Sequence, residues 1–162
     1  YMNIDNAEGT DGAVWPTVAT SSLITIGTAG DVNANAGTYV MWCWHSVDGY
    51  SRFGTYIGNG NSNGTFIYTG FRPAIYFIKV LDATNNWFTY DEARLGYNGR
   101  NDTLSWNSTA VEDNTYQHDI LANGFKIRSE GASYNSDGGD FIYMAFAEHP
   151  FVSSEGVPKT AG

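Results

Sequence analysis

The stretch Pro73–Leu81, PAIYFIKVL, is apolar at every position except Lys79. A run of that length without polar alternation suits a central β-strand covered on both faces, so the chain must supply layers to cover it. Further strand candidates are Leu23–Thr28, Thr38–His45, Thr65–Tyr68, Trp87–Tyr90, Thr103–Trp106, Gly124–Ser129 and Asp140–Ala147. Clusters of Asn, Asp, Gly and Ser separate them, as turn residues separate strands. Gly and Asn provide turns, and an aromatic content of 15% supplies the residues that fit a pleated, half-buried surface. Only Asp91–Leu95 and Thr109–Asp113 have room for a turn of helix, since Gly96 and Asn114 cut each short. The expected fold is all-β, a β-sandwich of jelly-roll or lectin-like type with Gly/Asn-rich loops.

The chain repeats itself. A shift of 102 positions lays Asn33 on Asn135 and Gly37 on Gly139, and sets Tyr39–Trp44 against Phe141–Phe146. Leu23 and Thr25 fall on Phe125 and Ile127. Residues 1–46 therefore read as the trailing part of a repeat unit resembling 103–148, residues 47–151 as a complete unit, and 152–162 as a C-terminal tail. Two arrangements follow: a tandem array entered halfway through one unit, which is favoured, or two related hairpins flanking a unique middle. In either case Val40, Trp42 and Trp44 are expected to share a core with Ile142, Met144 and Phe146. Truncating Trp42 to Ala would then cost about 3–5 kcal/mol.

Charge excludes some partners. Eight Lys and Arg against 17 Asp and Glu give a net charge of -9. No cationic cluster suited to phosphate is present, so nucleic acid and anionic lipid are not expected partners. No run of 18 apolar residues occurs, hence no helical membrane span is expected. A single cysteine, Cys43, allows no intrachain disulfide.

Catalytic and metal signatures are weak. Gly60-Asn61-Ser62-Asn63-Gly64 fits the G-x-S-x-G pattern, but no helix pattern follows, and a loop is the better reading. His45, His118 and His149 lack metal-ligand spacing. Asp91-Glu92 and Glu148-His149 are adjacent residues, which face opposite ways on a strand and form no acid–base dyad alone. Asn135–Asp140 is oxygen-rich and Gly-bent like a calcium loop but lacks the distal Glu, so a turn is favoured. Three N-x-T triplets, at Asn63, Asn101 and Asn107, arise readily in a chain this rich in Asn and Thr. No cofactor, no metal and no enzymatic activity are expected.

A longer pattern runs through the second half of the chain. Gly49-Tyr50-Ser51-Arg52-Phe53-Gly54-Thr55-Tyr56-Ile57-Gly58-Asn59-Gly60 leads to Gly70-Phe71-Arg72-Pro73 and an apolar strand holding Lys79. Asn86-Trp87, Asp91-x-x-Arg94, Asn123-Gly124-Phe125 and Phe141–Phe151 follow. This order resembles an uncharacterised β-rich domain that recurs in virion proteins of tailed bacteriophages, many of them marine. The resemblance implies a tail, fibre or other surface-appendage module of the particle, located on the virion and involved in host-surface attachment. It also implies a homo-oligomer, with a trimer as first expectation, contacting other virion proteins. The alternative is a carbohydrate-binding or glycan-cleaving module acting on host surface glycans, for which low charge, Asn and aromatics are suited. The candidate ligand-binding group is Asn86, Trp87, Tyr90, Asp91 and Arg94. In it Trp87 or Tyr90 would stack on a sugar while the others read hydroxyls; the competing account pairs Asp91 with Arg94 as a loop brace.

Overall fold

The computed structural model describes residues 2, 4–9, 11–94, 97–99 and 102–150. The expected tail, residues 152–162, lies outside them. The chain forms two units, one of Glu8–Trp44 and one of Tyr1–Ala7 with His45–Gly162. Among its described residues the smaller holds a single helical turn, α1 (Gly30–Asn33). The larger holds β1 (Ser51–Ile57), β2 (Phe66–Tyr68), β3 (Pro73–Val80), β4 (Phe88–Asp91) and β5 (Leu104–Ser105). It continues with β6 (His118–Leu121), β7 (Gly124–Ile127), a second helical turn α2 (Ala132–Asn135), and β8 (Asp140–Ala147).

These strands make two antiparallel sheets, ordered β1-β8-β3-β4-β5 and β2-β7-β6. The all-β sandwich expected from composition is therefore present. Pairing of β1 with β8 and β2 with β7 follows the nesting of a jelly roll, whereas β3, β4 and β5 form a meander that departs from it. Strand β3 is covered on both faces, as its unbroken apolar run predicts. Tyr76, Ile78 and Val80 point into the space between the sheets and are almost fully buried. Phe77 packs edge-on against Trp106 on the opposite face, and the Lys79 ammonium donates to the Asp5 and Asn85 carbonyls.

The core is aromatic. The Tyr76 ring stacks on Phe125 with centroids 4.0 Å apart and on Tyr90 at 5.4 Å. Phe141 stacks on Tyr56, and Tyr134 of α2 lies against Phe88. Burial of such rings contributes area and, as stacked pairs, roughly 0.5–1.5 kcal/mol more each. Along β8 the core takes Phe141, Tyr143 and Ala145. The expected core strip of Ile142, Met144 and Phe146 is instead the other face of the five-stranded sheet, one residue out of phase.

One amide ties the connections together. Asn135 is wholly buried. Its Oδ1 accepts from the Asn59 amide at 3.0 Å, and its Nδ2 lies within bonding distance of Asn59 Oδ1, the Asn61 carbonyl and the Ser129 carbonyl. The β1–β2 connection is thus moulded around this side chain. Close approach there requires glycine: a Cβ on Gly58 would sit 2.2 Å from the Ser136 carbonyl oxygen, and Gly60 takes φ +59°.

The turn around Asn135 has a counterpart 102 positions earlier, in the smaller unit. Asn33 Nδ2 donates to the Gly27 carbonyl at 2.9 Å, as Asn135 Nδ2 does to that of Ser129 at 3.1 Å. The Asn33 amide donates to Ala29 and the Asn135 amide to Gly131; Gly37 donates to Ala34 and Gly139 to Ser136. Ala36 adopts φ 60° where Gly138 adopts 71°. Each pair is separated by the same offset. The turn is therefore one structure made twice.

The strands around the first copy of the turn do not form. Leu23–Thr28 and Thr38–His45 are not strands, and Trp42 is 71% exposed rather than part of a core. Among the described residues of this unit no strand flanks them, and an isolated strand leaves its backbone groups to water. Two further expectations are corrected. Helical turns are found at α1 and α2, not at 91–94 or 109–113, and Leu95 lies outside the described residues. Asp91 instead ends β4 and its Oδ1 accepts from the Ala93 and Arg94 amides, which bends the chain. Conversely, β1 and β6 form where none was expected.

Asn135→Ala strands several buried polar groups at once and is expected to cost about 2–4 kcal/mol in urea denaturation. Trp42→Ala is expected to stay within about 0.5 kcal/mol of the parent chain, since the ring is largely exposed.

Candidate functional site

The residues after β3 gather where β4 and β5 pair. Phe88 faces Ser105 across the ladder, and the Trp106 amide donates to the Trp87 carbonyl at 2.9 Å. Trp87, just before β4, and Trp106, just after β5, are therefore neighbours in backbone. Trp87 is half-buried, and Trp106 is 51% exposed. Two asparagines brace the pair. Asn107 Oδ1 accepts from the Trp87 amide, and Asn107 Nδ2 donates to Asn86 Oδ1 at 3.1 Å. Asn86 Nδ2 reaches Ser105 Oγ at 3.4 Å.

Asp91 and Arg94 do meet. Arg94 Nε donates to Asp91 Oδ2 at 2.6 Å, Nη1 to Glu112 Oε2, and Nη2 to the Thr89 carbonyl at 3.2 Å. The guanidinium is thus engaged on all three nitrogens, joining β4 to the segment before β6. Burial alone would raise the Asp91 pKa, but hydrogen bonds from the Arg94 side chain and backbone outweigh it and hold the carboxyl below its ordinary value. Glu112 has no signature in the sequence, lying 18 residues from its partner. The sequence reading also missed Trp106 and Asn107, although Asn107 opens one of the N-x-T triplets.

Tyr90 does not belong to this surface. It is fully buried, with its ring stacked on His118 at 3.9 Å and on Tyr76. The expectation of a Tyr90 stacking platform is corrected accordingly: strand alternation places position 90 inward when 87 and 89 leave by other directions. The five candidates therefore divide. Asn86, Asp91 and Arg94 serve local bracing, Tyr90 the core, and Trp87 alone of the aromatics reaches the surface.

Against β4 and β5 lies a groove of ≈ 450 Å³. Asn86, Thr103, Ser105, Glu112 and Asp113 supply its polar lining, and Phe88 and Val111 its apolar part. Residues 1–150 match a domain family of unknown function, DUF7483. The chain belongs to this family. No curated protein and no solved structure matches it.

Within this DUF7483 chain the long sequence pattern has a structural reading. Arg72 Nε pairs with Glu148 Oε2 at 2.5 Å, the Glu148 amide donates to the Arg72 carbonyl, and Arg72 Nη1 donates to the Ile120 carbonyl. The Gly-Phe-Arg-Pro and Ala-Glu-His-Pro segments are therefore the two ends of one clamp at the start of β3 and the end of β8. Asn63 Oδ1 accepts from Lys126 Nζ, and the Asn107 amide is occupied as described; Asn101 lies outside the described residues. The Asn135 amide is likewise engaged with protein groups, and the Gly139 amide closes a turn onto the Ser136 carbonyl. No group of three or more metal-ligating side chains occurs among the described residues, and no helix among them is long and apolar enough to cross a membrane.

His118 is sealed in the core with Nδ1 3.0 Å from the Tyr76 hydroxyl, while His45 and His149 are exposed. Burial lowers its pKa from 6.5 to about 3. Below about pH 6.5 the unfolded imidazole takes up a proton that the folded one refuses, so the unfolded state binds more protons. Stability is therefore full above pH 6.5 and falls with decreasing pH down to about 3, by up to about 1.4 kcal/mol per unit. His118→Phe is expected to remove that slope in denaturation curves measured from pH 7 to 4; an unchanged slope would refute the assignment. Arg94→Ala is expected to cost about 1–2 kcal/mol, since it releases a partly buried network with two carboxylates rather than one exposed pair.

Proposed function

We propose that this chain is a structural module of a tailed-bacteriophage virion, part of a tail, fibre or other surface appendage that contacts the host. The observation that carries this reading is the repetition of one hydrogen-bonded turn at a spacing of 102 residues. Repeated units stacked along a chain are how extended appendages are built from small folds. The resemblance of residues 47–151 to domains of phage virion proteins supplies the setting. A homo-oligomer, with a trimer as the first expectation, and contacts to other virion proteins belong to the same proposal. The net charge of -9 keeps such a surface soluble and away from nucleic acid.

A second reading, glycan binding, is favoured by one observation. The backbones of Trp87 and Trp106 are bonded to each other and braced by the Asn86–Asn107 amides, and the Trp106 ring is half exposed. Exposed aromatic rings on a rigid ladder are suited to stacking on a pyranose. The two readings are compatible, since an appendage that attaches to a host meets its glycans.

The first reading is tested by immunogold electron microscopy and protein mass spectrometry on purified particles of the phage that encodes the chain. Label confined to an appendage is the expected result; absence of the chain from washed particles would overturn it. For the second, Trp87→Ala and Trp106→Ala are compared with the parent for melting temperature and for adsorption to host cells. Lost adsorption with an unchanged melt assigns a sugar site there. Adsorption that falls only with the folded fraction removes it.

A further inference from the structure

The smaller unit carries an apolar segment that nothing in its own fold covers. Val40 is 73% exposed, Trp42 71%, and Tyr39, Met41 and Trp44 each nearly half. Both faces of the segment are affected, as alternate residues point opposite ways along an extended chain. Under the 102-residue offset, Tyr39, Met41 and Trp42 stand where Phe141, Tyr143 and Met144 stand in β8, and those three are buried. What buries β8 is its position between β1 and β3, with the second sheet against its inner face.

The turn that leads into this segment is already made. The Asn33-to-Gly27 bond, the α1 turn, and the Gly37-to-Ala34 bond reproduce those that precede β8. The flanking φ/ψ values agree as well, with Ala29 at -60°, 136° and Gly131 at -60°, 131°. Such a turn delivers the following residues in the direction β8 takes. The 47–102 segment of the same chain is not free to receive them, because β8 already occupies the place between its β1 and β3.

We infer that residues 23–45 are the closing half of a second repeat unit, in which 38–45 form a strand between two antiparallel strands supplied by another repeat. The occupant of the exposed face is a segment patterned like residues 47–102, contributing counterparts of β1 and β3. Main-chain hydrogen bonds on both edges and burial of Tyr39, Met41 and Trp42 hold it in place. The copy departs at Ser46, which stands where Glu148 pairs with Arg72, so the second unit closes without that ion pair.

Residue 1 stands where residue 103 stands in the complete unit, so a second copy of residues 47–102 placed directly before residue 1 supplies both strands in register. Hydrogen exchange by mass spectrometry is then compared between this extended chain and the parent chain. Peptides covering 38–44 are expected to exchange at least about 100-fold more slowly in the extended chain, with Trp42 and Trp44 emission shifted to the blue and shielded from acrylamide. Asn33→Ala in the extended chain is expected to undo that protection while leaving 140–147 protected. Exchange of 38–44 that is equally fast in both chains, with 140–147 still slow, overturns the inference. Protection of 38–44 in the parent chain that grows with protein concentration also overturns it, assigning the face to a second copy.

Discussion

The buried amide of Asn135 sets the geometry on which the larger unit depends. Its side chain accepts from one loop and donates to carbonyls of two segments more than sixty residues apart in sequence. A primary amide offers two donors and two acceptor lone pairs on one small planar group, so it can replace a turn of backbone pairing inside the protein. Placing it there costs desolvation unless each of those sites finds a partner. The β1–β2 connection is shaped to provide them, which explains the run of Gly and Asn from 58 to 64 better than flexibility does. With that connection fixed, β1 enters one sheet and β2 the other, and the sandwich is committed to its topology.

From this point the aromatic core follows. Strand β8 lies between β1 and β3, so its inner residues Phe141, Tyr143 and Ala145 are held opposite β7 and α2. The rings of Tyr56, Tyr76, Phe125 and Tyr134 fill the gap between sheets with flat surfaces at stacking distances. Tyrosine hydroxyls need partners when buried, and two find them in neighbouring groups: Tyr56 donates to the Tyr134 carbonyl and Tyr76 meets His118. Burial keeps the imidazole neutral inside, which couples core packing to pH. The Arg72–Glu148 clamp then closes the ends of β3 and β8 at the sheet margin.

Much of this was legible in the sequence. The unbroken run at 73–81 announced a strand covered twice, and Gly/Asn clusters marked most of the turns. The class of fold and the pairing of Asp91 with Arg94 were both readable from local pattern. What was not readable depended on contacts between distant segments. Glu112 joins Arg94 only because the chain returns past β4, and no spacing rule reports that. Tyr90 reads as a surface residue because composition cannot assign the inward phase of a four-residue strand. The phase of β8 was missed for the same reason, since apolar residues occupy both of its faces.

The two copies of the Asn turn separate local from non-local causes of structure. In each, the amide-to-carbonyl bond spans six residues and the helical turn is closed by neighbours. Such contacts are formed by the segment itself and need no partner, so the turn forms in the smaller unit even where no strand flanks it. Strand formation obeys the opposite rule. Tyr39–Trp44 has as much strand character as Phe141–Phe146, yet only the second is a strand, because only it has neighbours on both edges. Propensity in a sheet is a statement about the pleated surface a residue meets, not about the residue alone. The contrast within one chain shows where this fold stores its cooperativity: the turns are written locally, and the sheet exists only when β1, β3 and β8 are brought together.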